Sequence, residues 1–231
     1  MDHKFYDLHV KFTNWKESIE RAKKLELAGI CFVINSKEDI EKFLEEIDNI
    51  KNKEIVIIKG ILIDEDKNNI IKVAKKYRRK FELILVNGGV YKINRIACAS
   101  DYIDILSNPG RGRKDCGIDH ICCKDAREHD VIIELNFREL LISQGMDRIR
   151  ELNKMKEILR LCKCFNTNFI VTSGAKDIWE LRGGRELCAL SYSLGASLEE
   201  ALNANSRFAN KLIETNRRKI VQPLKGVNYE R

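Results

Sequence analysis

Prolines number only two, histidines four, and aromatic residues make up 7% of this 231-residue chain. Scarce aromatics argue against reading single-stranded nucleic acid by base stacking. Four histidines, His3, His9, His120 and His129, are few for a two- or three-metal centre. The eight cysteines form no Cys-x-x-Cys and sit mostly in apolar segments such as Ile30-Cys31-Phe32 and Ile121-Cys122-Cys123, so buried reduced thiols are expected. Apolar runs fall short of the ~18 residues a membrane span needs. Met1-Asp2-His3-Lys4-Phe5 offers no apolar signal region. A soluble, cytoplasmic protein is expected. No Gly-x-Gly-x-x-Gly follows the first strand, and Walker A spacing is absent. Asn87-Gly88-Gly89 and Gly183-Gly184 are too short to count as nucleotide fingerprints.

Charge is abundant. Lys and Arg total 42 against 35 Asp and Glu, a net of +7 that permits a polyanionic partner without proving one. Hydrophobic residues form 44% of the chain, enough to fill the core of one α/β domain of barrel size.

Periodicity then orders the chain. Strands are expected over 5–10, 30–34, 55–63, 81–86, 102–106, 131–135 and 169–172, each too short or too apolar for a surface helix. Helices alternate with them. Asn14 with Glu17, Ser36 with Asp39, and Ser197 with Glu200 read as capping boxes. Leu25 and Leu27 read as the end of the first helix, and the last helix as spanning Ser197 to Asn216. Seven β-then-α units without a Pro- or Ser-rich linker predict one α/β domain over 1–216, a TIM-like barrel of parallel strands rather than an open sheet. A basic tail follows over 217–231.

In such barrels function gathers on the loops after the strands. The side chains expected there are mostly cations: Lys11 after the first strand, Lys59 at the end of the third, Arg95 after the fourth, Arg111, Arg113, Lys114 and His120 after the fifth, Arg138 after the sixth, and Lys176, Arg182 and Arg185 after the seventh. The stretch Asn108-Pro109-Gly110-Arg111-Gly112-Arg113-Lys114-Asp115-Cys116-Gly117 places three cations and three glycines within eight residues. Guanidinium forks match phosphate oxygens, and glycine lets backbone approach a ligand. Cys116 near His120 raises the question of a nucleophilic thiol, but no residue is placed to orient that histidine. Asp7-x-His9 on one strand, with Glu134, is the start of a metal site, since alternate residues share a face. Lys11 stands where a further ligand is wanted, and Thr172-Ser173-Gly174-Ala175-Lys176 supplies none before Asp177.

Phe5-Tyr6-Asp7-Leu8-His9-Val10, Leu85-Val86-Asn87-Gly88-Gly89, Asp104-Ile105-Leu106 and Ser173-Gly174-Ala175, in order over nearly the whole chain, resemble archaeal ribonuclease P protein component 3, a family homologous to the thirty-kilodalton subunit of eukaryotic ribonuclease P. The resemblance implies a seven-stranded TIM-like barrel with about ten helices, related to polymerase-and-histidinol-phosphatase metallohydrolases. Those begin Asp-x-His-x-His, where this chain has Asp7-Leu8-His9-Val10-Lys11. It implies an RNA-binding cofactor of the ribozyme that removes the 5′ leader of precursor tRNA, with no catalytic residue, metal or cofactor of its own. The Mg²⁺ and the catalysis belong to the RNA. Its expected partners are ribonuclease P RNA, precursor tRNA, ribonuclease P protein component 2 and the other ribonuclease P proteins. The RNA-contacting residues expected on this reading are Lys11, Lys59, Arg95, Arg111, Arg113, Lys114, His120, Lys176, Arg182 and Arg185. The rival reading is a metal-dependent phosphoesterase using Asp7, His9 and Glu134. A second rival is a purely structural protein that binds other proteins and never touches RNA.

Overall fold

The computed structural model describes residues 3–11 and 13–221. Among them, seven strands alternate with helices: β1 Phe5–Lys11, α1 Trp15–Lys24, β2 Leu27–Asn35, α2 Ile40–Asp48, β3 Val56–Ile63, α3 Ile70–Tyr77, β4 Leu83–Asn87, α4 Tyr91–Cys98, β5 Ile105–Ser107, α5 His120–Glu128, β6 Ile132–Asn136, α6 Phe137–Ile142, α7 Gly145–Phe165, β7 Phe169–Thr172, α8 Gly184–Ser193, α9 Leu198–Asn203 and α10 Ala209–Val221, with a π turn at Ala204–Phe208 before α10. The strands are parallel and ordered β1 to β7, bending into a nearly closed barrel. The TIM-like α/β expectation holds.

Several local expectations are corrected. Asn14 adopts φ 44° and makes no side-chain cap. Asp39, not Ser36, caps α2, accepting from the Lys42 amide at 3.1 Å. Leu27 opens β2 rather than closing α1, because Glu26 at φ 55° turns the chain and Leu27 pairs with Phe5. The single expected C-terminal helix is three pieces, and α10 runs through Val221. Residues 217–221 of the expected tail are therefore helical, with Arg217 Nε 2.5 Å from Glu82 Oε1. Residues 222–231 lie outside the described residues.

Two apolar clusters hold the fold. One fills the barrel, with Leu8, Cys31, Ile58, Leu85, Ile132 and Ile170 pointing inward. The other lies between strands and outer helices, where Phe81 stacks on Phe43 and meets Tyr77 edge-on, each at 5.9 Å. Ala209, Ile213 and Asn216, spaced along one face of α10, plug the end where the strands begin. There Asn216 donates to Asp104 Oδ1 (2.8 Å) and the Glu82 carbonyl (2.9 Å), while Arg78 holds the other Asp104 oxygen at 2.6 Å.

β1 and β7 do not share a regular ladder. Their seam is bridged at one end by Lys11 N donating to the Ala175 carbonyl at 2.8 Å. At the other end Asn205, from the π turn, donates to the carbonyls of Val171 (2.5 Å) and Tyr6 (3.4 Å) and accepts from Val171 N (3.3 Å). One fully buried amide thus serves three backbone groups that would otherwise lack partners. Asn205→Ala should cost about 2–3 kcal/mol of unfolding free energy in urea. A loss under about 0.5 kcal/mol would show that the seam does not need it.

Candidate functional site at the mouth of the barrel

The strands end at a polar cleft of about 390 Å³. His9 and Lys11 enter it from β1, Arg111 from the loop after β5, and Lys176 from the loop after β7. Asparagines reach it at four strand ends: Asn35 closes β2, Asn87 closes β4, Asn108 follows β5 and Asn136 closes β6. That recurrence is visible in the sequence as Ile34-Asn35, Val86-Asn87, Ser107-Asn108 and Leu135-Asn136.

Deeper in, a register shift reshapes the site. β1 pairs Asp7 with Ile30 but Val10 with Phe32, so one extra residue sits between them. Such bulges re-aim side chains. Leu8 belongs to the barrel interior, whereas Val10 faces the outer helices. Asp7 and His9 do not converge, as simple alternation implied. Asp7 Oδ1 turns to the seam and accepts from Ser173 N at 3.1 Å. His9 Nδ1 meets Glu134 Oε1 at 2.7 Å. Glu134 also accepts from Thr172 Oγ1 at 2.6 Å and from the Ser107 hydroxyl.

Titration follows from these partners. Burial pushes the Asp7 carboxyl up to about 6, despite the Ser173 and His9 amides that favour its charged form. Its Oδ2 is buried without a hydrogen-bond partner. Burial also opposes charge on Glu134, but the His9 charge and the bonds from His9, Ser107 and Thr172 outweigh it and hold the carboxyl low. Burial opposes the His9 cation too, and Glu134 and Asp7 raise it in return. The floor is thus a His9–Glu134 pair in which each partner favours the charged form of the other. This donor set does not fit a metal. Both Glu134 oxygens are engaged by His9, Thr172 and Ser107. Among the described residues, no three His, Cys, Asp or Glu side chains are grouped to hold an ion.

The mouth is less one-sided in charge than the sequence led one to expect. Lys11 Nζ lies 3.3 Å from Glu38, Arg111 3.5 Å from Asp64, and Arg138 Nε 2.8 Å from Glu180. Among the described residues, Lys176 has no ion pair within 4.0 Å. The basic loop is no open cradle. Asn94 of α4 donates to the carbonyls of Pro109 (2.9 Å) and Gly117 (2.7 Å), and Lys154 of α7 donates to that of Gly110 (3.1 Å). Gly117, at φ 78°, packs where a Cβ would lie 1.9 Å from the Pro109 carbonyl. Burial pushes the Cys116 thiol up, the reverse of an activated nucleophile. All eight cysteines are free, and Cys164 alone is exposed.

Of the ten proposed contact residues, Lys11, Arg111 and Lys176 meet at the cleft. Arg113 is forked onto Asp115 at 2.6 and 2.8 Å, and Lys114 is exposed beside it. Arg95 stacks on Tyr91 at 5.6 Å and faces Asp119 at 3.6 Å, beside the cleft rather than lining it. His120 lies on the outer flank, 6.2 Å from the Phe165 ring of α7. Arg182 packs over Phe137 at 5.3 Å and donates to the Trp179 and Leu181 carbonyls. Two rim placements are corrected. Lys59 lies within β3 opposite Phe32, its Nζ 2.9 Å from Asp48 at the end of α2. Arg185 lines a groove with Phe5 and Leu27, at the starts of β1 and β2. Arg185 leaves the mouth because the loop after β7 descends the outside of the barrel before α8 begins. Gly184 packs so close that a Cβ there would meet the Phe5 ring at 2.1 Å.

Fold and site define a class: a seven-stranded TIM-like barrel whose strand-end mouth offers cations and amides over a closed His–Glu pair. The chain belongs to the family described as RNase P subunit p30, whose model matches residues 4–221. It is 33% identical over 202 residues to ribonuclease P protein component 3 of Methanocaldococcus jannaschii, covering 87% of this chain and 83% of that one. It is 34% identical over 216 residues to the protein of that name from Methanococcus maripaludis, covering 93% and 87%. Its fold matches a chain in a cryo-EM structure of archaeal ribonuclease P with mature tRNA, with a TM-score of 0.80, 30% identity and coverage of 97% and 96%. A Xaa-Pro dipeptidase matches at a TM-score of 0.64 and 10% identity, which shows the shared fold alone. Among the described residues, no helix is long and apolar enough to cross a membrane.

A carboxyl raised on folding stabilises the protein fully below its ordinary value of 3.8 and loses that contribution as pH climbs to about 6. The raised His9 contributes below its ordinary 6.5 and loses it above, whereas the lowered Glu134 contributes above 4.5 and loses it in acid. Asp7→Asn keeps the acceptor for Ser173 N and removes the buried charge. It should raise stability at pH 7, by up to about 3 kcal/mol, and flatten the pH dependence between about 4 and 6. Denaturant titrations across that range would overturn the assignment if the variant kept the parent's slope.

Proposed function

We propose that this chain is a non-catalytic, RNA-binding subunit of ribonuclease P, acting in removal of the 5′ leader from precursor tRNA. The observation that carries the reading is the meeting of Lys11, Arg111 and Lys176 at one strand-end cleft in a member of this family. Three cations, one from the end of β1 and two from the loops after β5 and β7, gather positive charge at one place. Folded RNA is recognised largely through backbone and shape, so a rigid pattern suits it. The ion pairs at 3.3 and 3.5 Å are loose and partly exposed, and phosphates can replace their carboxylates at small cost.

On this reading Arg113 and Lys114 extend the contact along the rim, while Arg95, His120 and Arg182 flank it. Lys59 and Arg185 lie at the other end of the barrel and belong to a separate face. The Mg²⁺ and the catalytic centre reside in the RNA, and ribonuclease P protein component 2 is the expected protein partner. The metal-dependent phosphoesterase reading is not favoured, because Glu134 is committed to His9, Ser107 and Thr172.

Reconstitution tests the role directly. Adding the chain to ribonuclease P RNA and the other protein subunits should raise the rate of leader removal or lower its Mg²⁺ requirement. No change in either would sink the cofactor reading. The mouth is tested by salt titration. Changing Lys11, Arg111 and Lys176 together to Ala should weaken RNA binding and reduce the slope of log K against log salt by roughly 0.7–0.9 per lost phosphate contact. Lys59→Ala with Arg185→Ala should leave that slope in place.

A further inference from the structure

The cleft holds more than a phosphate track requires. Around its cations stand Asn87 and Asn108, the carboxylates of Glu38 and Glu139, and the apolar side chains of Val33 and Leu62. The carboxylates would repel a bare anion. They suit a group that is anionic at one end and rich in N–H and O–H donors at the other.

Asn87 makes the point sharpest. Its Nδ2 donates to Asp64 Oδ1 at 3.2 Å. A carboxylate only accepts, so the amide cannot be flipped and Oδ1 is left as the acceptor. That oxygen is buried and unpartnered, as is Oδ1 of Asn108, on a residue held at φ 48°. Two idle acceptors lie beside one cleft in which Lys11 and Arg111 are only loosely paired. Val33 and Leu62 give the cleft an apolar wall. Its size, about 390 Å³, is in the range of small-ligand sites.

We infer that the mouth takes one unstacked nucleotide of an RNA strand. Its phosphate lies among Lys11, Arg111 and Lys176, its base lies against Val33 and Leu62, and the N–H edge of the base is directed to the acceptors of Asn87, Asn108 and the neighbouring carboxylates. The base is read by its edge, which asks for no aromatic platform. The inference rests on the RNA-binding reading and adds to it a pocket for a single residue of the RNA.

Nucleoside 5′-monophosphates, the free nucleosides and inorganic phosphate serve as probes, with binding to the full chain followed by NMR shifts of the side-chain amides. At least one monophosphate should bind about tenfold more tightly than inorganic phosphate or its own nucleoside. Leu62→Trp, which fills the cleft, should abolish that binding and weaken ribonuclease P RNA about tenfold. Ile142→Trp, at the half-exposed edge of the cleft, does the same without touching the core. The bound monophosphate should compete with the RNA. Monophosphate binding no tighter than that of phosphate would mark a plain anion site and overturn the inference. So would binding that does not compete with RNA, which would mark a site for free nucleotides. RNA affinity that falls in the triple cation variant but not in either Trp variant would remove the pocket and leave the RNA-binding reading standing. RNA that fails to bind the parent chain at low salt would remove both.

Discussion

Closure of the barrel depends on a seam that backbone pairing does not make. Between β1 and β7 the ladder is reduced to a bridge of Val10 with Ala175, in which Lys11 N donates to the Ala175 carbonyl. The remaining edge groups are met by side chains, Asn205 near the strand starts and Asp7 toward the mouth. An open parallel edge would leave buried amides and carbonyls without partners. Asp7 is held in place by this role, at the cost of a buried carboxyl that is hard to ionise. The residue that resembles a metal ligand in sequence is a structural staple in the folded chain.

The same constraint shapes the mouth. The extra residue in β1 sends Asp7 to the seam and leaves His9 to face Glu134. With Ser107 and Thr172 also on Glu134, the floor becomes a satisfied network. Fully satisfied buried polar networks are rigid. Above this floor, the end of β1 and the loops after β5 and β7 present their cations to one cleft. The β5 loop owes its form to neighbours, since Asn94 and Lys154 hold its carbonyls from α4 and α7. A surface fixed in this way loses little order when it meets a folded polyanion.

Much of the fold was legible in the residues. Short apolar runs such as Ile132–Asn136 are wholly buried as strands, and the spacing of Ile149, Leu152, Met155, Leu159 and Cys162 marks one face of α7 that is buried from Met155 onward, while Ile149 at its start is exposed. Local punctuation misled where backbone conformation overrode residue type. Asn14 takes a left-handed turn instead of capping, and Glu26 bends the chain so that Leu27 joins β2. Of the mouth, Lys11, Arg111 and Lys176 were legible because each lies at a strand end or in the loop that follows one. Lys59 and Arg185 were misplaced, because a position in sequence after a strand does not fix which end of the barrel a side chain reaches. The carboxylates Glu38 and Glu180 were not singled out, since both lie in helix or loop positions that carry no pattern of their own.

The sequence by itself determined the alternation of strand and helix, the family, and the excess of cations after the strands. The alternation and the cation excess follow from short-range periodicity and composition, and the family from the resemblance of its motifs along the chain. Tertiary structure decided what those cations face, where the β7 loop carries Arg185, and what Asp7 does. Each of these depends on contacts between residues far apart in the sequence, as in Lys11 with Glu38 and Arg111 with Asp64, and over more than a hundred positions in His9 with Glu134, Asp7 with Ser173 and Tyr6 with Asn205. Only closure of the sheet into a barrel brings such residues together, and no local pattern encodes it.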